Sequence, residues 1–311
     1  MTIRLVALRQ PPPPVMNALQ DYQIDVIADP LEDWTVEDPD QVRGLINFAG
    51  SLGADVLDRL PNLEIVSQMG VGYDGVDVEA AIERGIVITH TRDVLNADVA
   101  NFAFLMLLAA SREYVRQDTH VRSGAWENGQ TPLTWSLEGK TIGIVGLGRI
   151  GRNLAAKLEA FNVTVLYHGR TQQNVPYEFC PDLVDMAQRC RAMVLLLPGG
   201  EDTDRLITAE VLTALGPEGG LVNAARGSVL DQDALISALE TGQLGWAALD
   251  VFADEPRVPH ILRDMPNVLL SPHAASATVE TRGAMFDLVA QNVRSYFETG
   301  EALTPIPECQ S

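Results

Sequence analysis

Gly146-Leu147-Gly148-Arg149-Ile150-Gly151 is a G-x-G-x-x-G run between a strand-like "TIGIV" and a helix-like "RNLAAKLEAF". In that context the pattern reads as a dinucleotide turn. Gly146 permits the tight turn, Gly148 lets backbone N–H groups approach a pyrophosphate, and Gly151 lets helix and strand pack closely. The start of the helix adds positive partial charge, and Arg149 sits at that start. The strand that follows, in "VTVLYHGRTQQ", has no carboxylate where a free ribose 2′-OH would need an acceptor, and the first acid is Glu178. His168-Gly169-Arg170-Thr171 stands there instead. Arg170 can fork onto phosphate oxygens, Thr171 can donate its hydroxyl and Gly169 leaves room. The residues point to NADP(H) as the preferred cofactor, with NAD(H) possible; the ordinary alternative is that Arg170 is a surface arginine.

Three further stretches, "NAARGSVLD", "LDVFADEP" and "LLSPHAAS", place Arg226, Glu255 and His273 just past strand ends, with Asp250 closing the strand between the first two. A guanidinium binds anions, and an imidazole beside a carboxylate moves protons near neutral pH. Taken singly, Arg226 reads as a helix cap, Glu255 as part of a Glu-Pro turn and His273 as a hydrogen-bonded core histidine. Three such ends on one sheet edge, beside a nucleotide turn, read as a site.

The elements that must hold these residues alternate between strand and helix. "IRLVAL", "GLINFAG", "LEIVSQMGVGYDGVD" and "GIVITH" read as parallel strands, and "PPPP" (Pro11–Pro14) as a stiff extended loop between strand and helix. A helix near 97–117, apolar on most faces, reads as buried all round. After a turn-rich segment holding Trp126 and Trp135, strands resume at "KTIGIV", "VTVLYH", "RAMVLLLP", "GGLVNAARG", "GWAALDVF" and "NVLLSPH", and "TVETRGAMFDLVAQNVRSYFETG" is a closing helix. The predicted fold class is α/β, with two doubly wound Rossmann-like domains and a cleft between them. The substrate (catalytic) domain takes residues 1–97 plus 280–311, and the dinucleotide-binding domain takes 98–279.

Composition narrows the partners. With 22 basic and 42 acidic residues among 311, the formal net charge is −20, which argues against nucleic acid or an anionic membrane. Arg149 and Arg170 would supply the local positive field that the overall charge lacks. Three sparse cysteines, Cys180, Cys190 and Cys309, read as reduced thiols in a cytoplasmic protein, and no spacing suggests a metal site. "VANFAFLMLLAA" is too short to span a bilayer.

The stretches GLGRIG, "NAARGSVLDQDAL", "GWAALDVFADEP" and "NVLLSPH" resemble the D-isomer-specific 2-hydroxyacid dehydrogenase family, most of all its hydroxypyruvate and glyoxylate reductases. "VSQMGVGYDGVD" and "GIVITHTRDVLNADVANFAFLMLLA" resemble the family's substrate loop and interdomain helix. The resemblance implies that Arg226 grips the substrate carboxylate and carbonyl oxygen, that His273 passes the proton, and that Glu255 holds His273 and favours its charged form. It implies that Ala225 and Asp250 line the cofactor, with Asp250 accepting from the nicotinamide carboxamide. Backbone N–H groups at Val71 and Gly72 would hold the substrate carboxylate, and domain closure would exclude water. It also implies a small 2-keto or 2-hydroxy acid substrate and a homodimer, which the tryptophan segment would join unless Trp126 or Trp135 packs in the core. The sequence departs from the family at Gly199-Gly200, where a leucine or similar residue is usual. An NAD-dependent or phosphoglycerate-type dehydrogenase and a nucleotide-sensing, corepressor-like scaffold are the alternatives.

Overall fold

The computed structural model describes residues 2–28, 34–48 and 50–310. The chain divides into two compact units, Met1–Leu95 with Ala277–Ser311, and Asn96–Ser276. The first holds strands β1 (Arg4–Leu8), β2 (Gln23–Ile27), β3 (Val42–Asn47), β4 (Ile65–Gln68) and β5 (Val87–His90). They form a parallel sheet in the order β2-β1-β3-β4-β5. Side chains alternate across a strand, so β1 feeds two cores. Leu5 and Ala7 pack with Val289, Ala290 and Val293 of the helix Val279–Thr299. Val6 and Leu8 join Leu45, Val66 and Ile88 on the other face. Burial on both faces is why β1 reads as an unbroken apolar run.

The proline run does not stay extended: a helix spans Pro13–Ala18, with Pro12 as its N-cap. Proline has no N–H to lose in a helix's first turn and its φ is already suitable, so the same ring that stiffens a loop also starts a helix. The strand expected over "GLINFAG" is β3, which lies earlier; Ala49 is outside the described residues.

The second unit holds β6 (Thr141–Val145), β7 (Thr164–His168), β8 (Glu178–Phe179), β9 (Ala192–Leu195), β10 (Gly220–Asn223), β11 (Trp246–Leu249) and β12 (Val268–Leu270). The order is β12-β11-β10-β9-β6-β7-β8, and every pair is parallel. The chain winds outward in both directions from β6 and β9. Their carboxyl ends therefore border the topological switch point where such sheets take ligands.

The helix expected near 97–117 is two helices, Asn96–Ser111 and Tyr114–Arg122, separated by Glu113 in the left-handed region (φ 46°). Ala100, Ala103, Met106 and Leu107 pack against Ile142, Ile144, Leu154 and Leu158. Leu105 is 57% exposed and the second helix buries no residue, so the segment is not buried all round. Among the described residues no helix is long and apolar enough to cross a membrane, and no group of His, Cys, Asp and Glu could hold a metal ion.

Candidate active site

The glycine turn follows β6 and leads into the helix Arg149–Glu159. A Cβ on Gly146 (φ 98°) would lie 2.6 Å from the Leu196 carbonyl oxygen, and one on Gly151 would lie 2.2 Å from the Gly146 oxygen. Both distances are inside van der Waals contact, so both positions demand glycine. Gly148 differs: a Cβ there would meet nothing within 4 Å. Its bare backbone faces open space at the start of an eleven-residue helix with no acidic side chain in its first turn. Leu147 is buried and Ile150 half-buried, while Arg149 is exposed. These residues fit a dinucleotide pyrophosphate: open backbone at a helix start, with a cation in the first turn and no acid there.

Past β7, Gly169 is likewise open, with nothing within 4 Å of a Cβ, and Arg170 and Thr171 are exposed beside it. Glu178, the first acid after the strand, begins β8 and pairs with Arg189 at 2.6 Å. It serves the sheet edge and is committed elsewhere.

At the other side of the switch point, three loops are tied to one another. Gly227 sits so close to the 252 loop that a Cβ would lie 1.9 Å from the Phe252 carbonyl oxygen. This locks the Arg226 loop onto the loop carrying Glu255. The Phe252 N–H donates to Glu255 Oε1 (3.1 Å), and Glu255 Oε2 lies 2.7 Å from His273 Nδ1. Burial raises the Glu255 pKa, but the His273 hydrogen bond, the Phe252 N–H and the charges of His273 and Arg226 together outweigh it, and the net shift is downward. Glu255 is therefore an ionised acceptor at neutral pH. Nδ1 must then be the donor, which leaves Nε2 of a half-exposed ring as the nitrogen that exchanges protons. The contribution of Glu255 to stability is complete above the ordinary carboxylate range and is lost as pH falls through its lowered value.

Asp250 is 1% exposed. Its carboxylate accepts from the Ala274 N–H (2.7 Å) and the Ala275 N–H (3.0 Å), while its carbonyl accepts from the His273 N–H (2.8 Å). Those three bonds hold His273 in the left-handed region (φ 52°), a conformation that costs a non-glycine residue about 1–2 kcal/mol. The sequence reading assigned Asp250 only to the cofactor and missed this work on the histidine turn.

It missed Asn223 altogether. That side chain is fully buried, accepts from the Ala225 N–H (3.1 Å) and donates to the Arg226 carbonyl (2.9 Å). The signal was present in "NAARG": an asparagine at a strand end is disposed to bond backbone a few residues on. Ala225 is buried beneath Arg226, whose guanidinium also donates to the Ala225 carbonyl at 2.9 Å. Gly200 has φ 124° and begins a short turn held by the Thr203 hydroxyl on the Pro198 carbonyl (2.8 Å). The glycine that departs from the family pattern thus meets a local backbone need.

In the first unit, Val71 and Gly72 lie on the loop after β4, both half-buried. His90 Nδ1 donates to the Val71 carbonyl at 3.0 Å, and Gly70 and Thr91 exchange hydrogen bonds of 2.8 and 2.9 Å.

The sequence pattern of the D-isomer specific 2-hydroxyacid dehydrogenase, NAD binding domain, matches residues 104–275, a stretch that contains the glycine turn, Arg226, Glu255 and His273. The chain belongs to the D-isomer-specific 2-hydroxyacid dehydrogenase family. Within it, the chain is 44% identical over 268 residues to the glyoxylate/hydroxypyruvate reductase A HPR2 of Arabidopsis thaliana, covering 85% of each chain. It is 42% identical to the hydroxyphenylpyruvate reductase of Plectranthus scutellarioides, covering 86% of each. Among solved structures it is similar to the NADPH-dependent glyoxylate/hydroxypyruvate reductase SmGhrB of Sinorhizobium meliloti, in complex with NADP and malonate. The identity is 42% and the TM-score 0.95, over 99% of this chain and 98% of that one.

Proposed function

We propose that the chain is an NADPH-preferring reductase of small 2-keto acids such as glyoxylate or hydroxypyruvate, giving the D-2-hydroxy acid where the product is chiral. The observation that carries the reading is the 2.7 Å pairing of His273 with an ionised Glu255 on the sheet edge that also holds Arg226. The bound nicotinamide supplies the hydride. Arg226 takes the substrate carboxylate and carbonyl oxygen with its two-pronged donor. His273 donates the Nε2 proton to the carbonyl oxygen as negative charge develops there, and in the reverse direction accepts it. Glu255 keeps the Nδ1–H bond throughout, so the ring neither rotates nor changes tautomer. Any carboxamide contact of Asp250 uses lone pairs left over from its two N–H donors. The relatives' reductase names weigh against the phosphoglycerate-type and scaffold readings.

In a Glu255→Gln variant the ring keeps an acceptor for Nδ1 but loses the neighbouring negative charge. The kcat for reduction is expected to fall about tenfold, because a charge-assisted contact that orients the ring becomes a neutral one. Steady-state kinetics against wild type check this, and an unchanged kcat removes Glu255 from the role.

Arg170 and Thr171, beside the open backbone of Gly169, support NADPH over NADH, with NADH a weaker alternative. Arg170→Ala is expected to lower kcat/KM for NADPH about tenfold or more while touching NADH little, because one charged phosphate contact is lost. Equal losses with both cofactors would show that Arg170 does not read the 2′-phosphate.

We place the chain in the cytoplasm as a homodimer. The free cysteines fit a reducing compartment. Tyr114, Val115, Val121, Trp126 and Leu133 are each more than half exposed within a span of twenty residues. Tyr114, Val115 and Leu133 border a groove of 820 Å³ with Trp135 and Trp246 in its wall. Trp135 is packed there, stacked on Trp246 (6.0 Å) under Arg191, whereas Trp126 is exposed. Such clustering of exposed apolar side chains supports the dimer reading. Leu133→Asp is expected to shift the sedimentation mass toward the monomer; a wild-type mass already that of one chain contradicts the dimer.

A further inference from the structure

Tyr167 ends inside the core, its side chain fully buried near the end of β7. Its hydroxyl accepts the Gln173 N–H at 2.7 Å and lies 3.3 Å from the Gln173 carbonyl. The loop that carries Gly169, Arg170 and Thr171 is therefore fixed at both ends: at the strand it leaves, and at Gln173. The Gln173 side chain then crosses to the phosphate turn. Its Nε2 donates to the Leu147 carbonyl (3.1 Å), and its Oε1 accepts from Arg152, on the first turn of the helix, at 2.5 Å. A carbonyl can only accept and a guanidinium can only donate, so one amide orientation satisfies both. Neither Arg152 nor Gln173 belongs to the G-x-G-x-x-G run or to the Gly-Arg-Thr triplet, and nothing in the proposed hydride-transfer chemistry uses them.

We propose that Gln173 is a positioning residue for cofactor selectivity: it bolts the loop that reads the ribose 2′-phosphate to the turn that reads the pyrophosphate, and draws Arg152 to the same place. The inference rests on the NADPH reading above. Its physical content is preorganisation. Two anionic groups of one ligand are read by two loops, and a fixed spacing between the loops removes an ordering cost at binding. The benefit falls on the ligand that bears both groups. A ligand lacking the 2′-phosphate never engages Arg170, so it gains nothing from the bolt. Arg152, held by Gln173 Oε1, keeps a cation at the junction of loop and turn in a chain whose net charge is −20.

The test is calorimetric binding of adenosine 2′,5′-bisphosphate and of 5′-AMP to the intact protein, which needs no turnover. Two variants are used: Gln173→Ala, and Gln173→Met, which keeps the side-chain length and apolar contacts but makes neither hydrogen bond. Both are expected to weaken the bisphosphate about tenfold, as loss of a charge-assisted contact does, and to change 5′-AMP less than about twofold. A merely structural role would weaken both ligands alike or only lower Tm, and equal weakening overturns the proposal. So does unchanged selectivity in both variants when the wild type prefers the bisphosphate, in which case the NADPH reading survives. A wild type that binds both ligands equally removes the NADPH reading and this inference with it.

Discussion

His273→Ala is expected to lower kcat for 2-keto acid reduction by about 10²–10⁴-fold, the usual worth of a positioned general acid. The reason is local. The Nδ1–H is committed to Glu255 at 2.7 Å, so Nε2 is the ring's one atom available to protonate the developing alkoxide. Removing the ring leaves water to do it, without orientation. Affinity for NADPH should stay within about twofold, because the ring acts on the ketone and its loss belongs to the transition state. Steady-state kinetics and a fluorescence titration of the cofactor check the two halves. The structure also says how the variant should fail: the turn is held by Asp250 through backbone N–H groups, which alanine keeps, so the fold survives. A kcat within tenfold of wild type would strip His273 of its role.

Arg226→Ala is the second large effect. Two charge-assisted hydrogen bonds at about 1.5–3 kcal/mol each amount to a loss of about 10²–10⁴-fold in kcat/KM. Arg226→Lys should recover little of it, since a point charge cannot make the two-pronged contact. Asn223, buried beneath, holds the Arg226 and Ala225 backbone through its own side chain, so both substitutions leave the loop in place. A check on specificity follows: a ketone that lacks the carboxylate should already be a poor substrate for wild type and lose little more in the variant. If both substrates suffer alike, Arg226 does not grip the carboxylate.

The glycine turn and the three strand-end residues were legible because each is a type whose chemistry or φ freedom is rare and local. Gly146 and Gly151 sit so close to backbone carbonyl oxygens that any Cβ would overlap them. The missing carboxylate after β7 was equally plain, and Glu178 is bound to Arg189. What escaped was set by tertiary context. β8 is two residues long and shows no period; β2 carries Gln23 and Asp25 and is buried only in part. The break at Glu113 has no glycine or proline to announce it. Asn223 and Gln173 are ordinary amides in sequence, and their work is visible only once the backbone groups they bridge are brought within 3.1 Å. Proline at 12–14 misled because its fixed φ suits an extended loop and a helix start alike.

The most direct measurement follows deuterium from 4,4-dideuterated NADPH into the product formed from hydroxypyruvate. The account predicts a D-configured 2-hydroxy acid bearing the label at C2, formed by wild type. No labelled hydroxy acid from any small 2-keto acid, or one of L configuration, would contradict it.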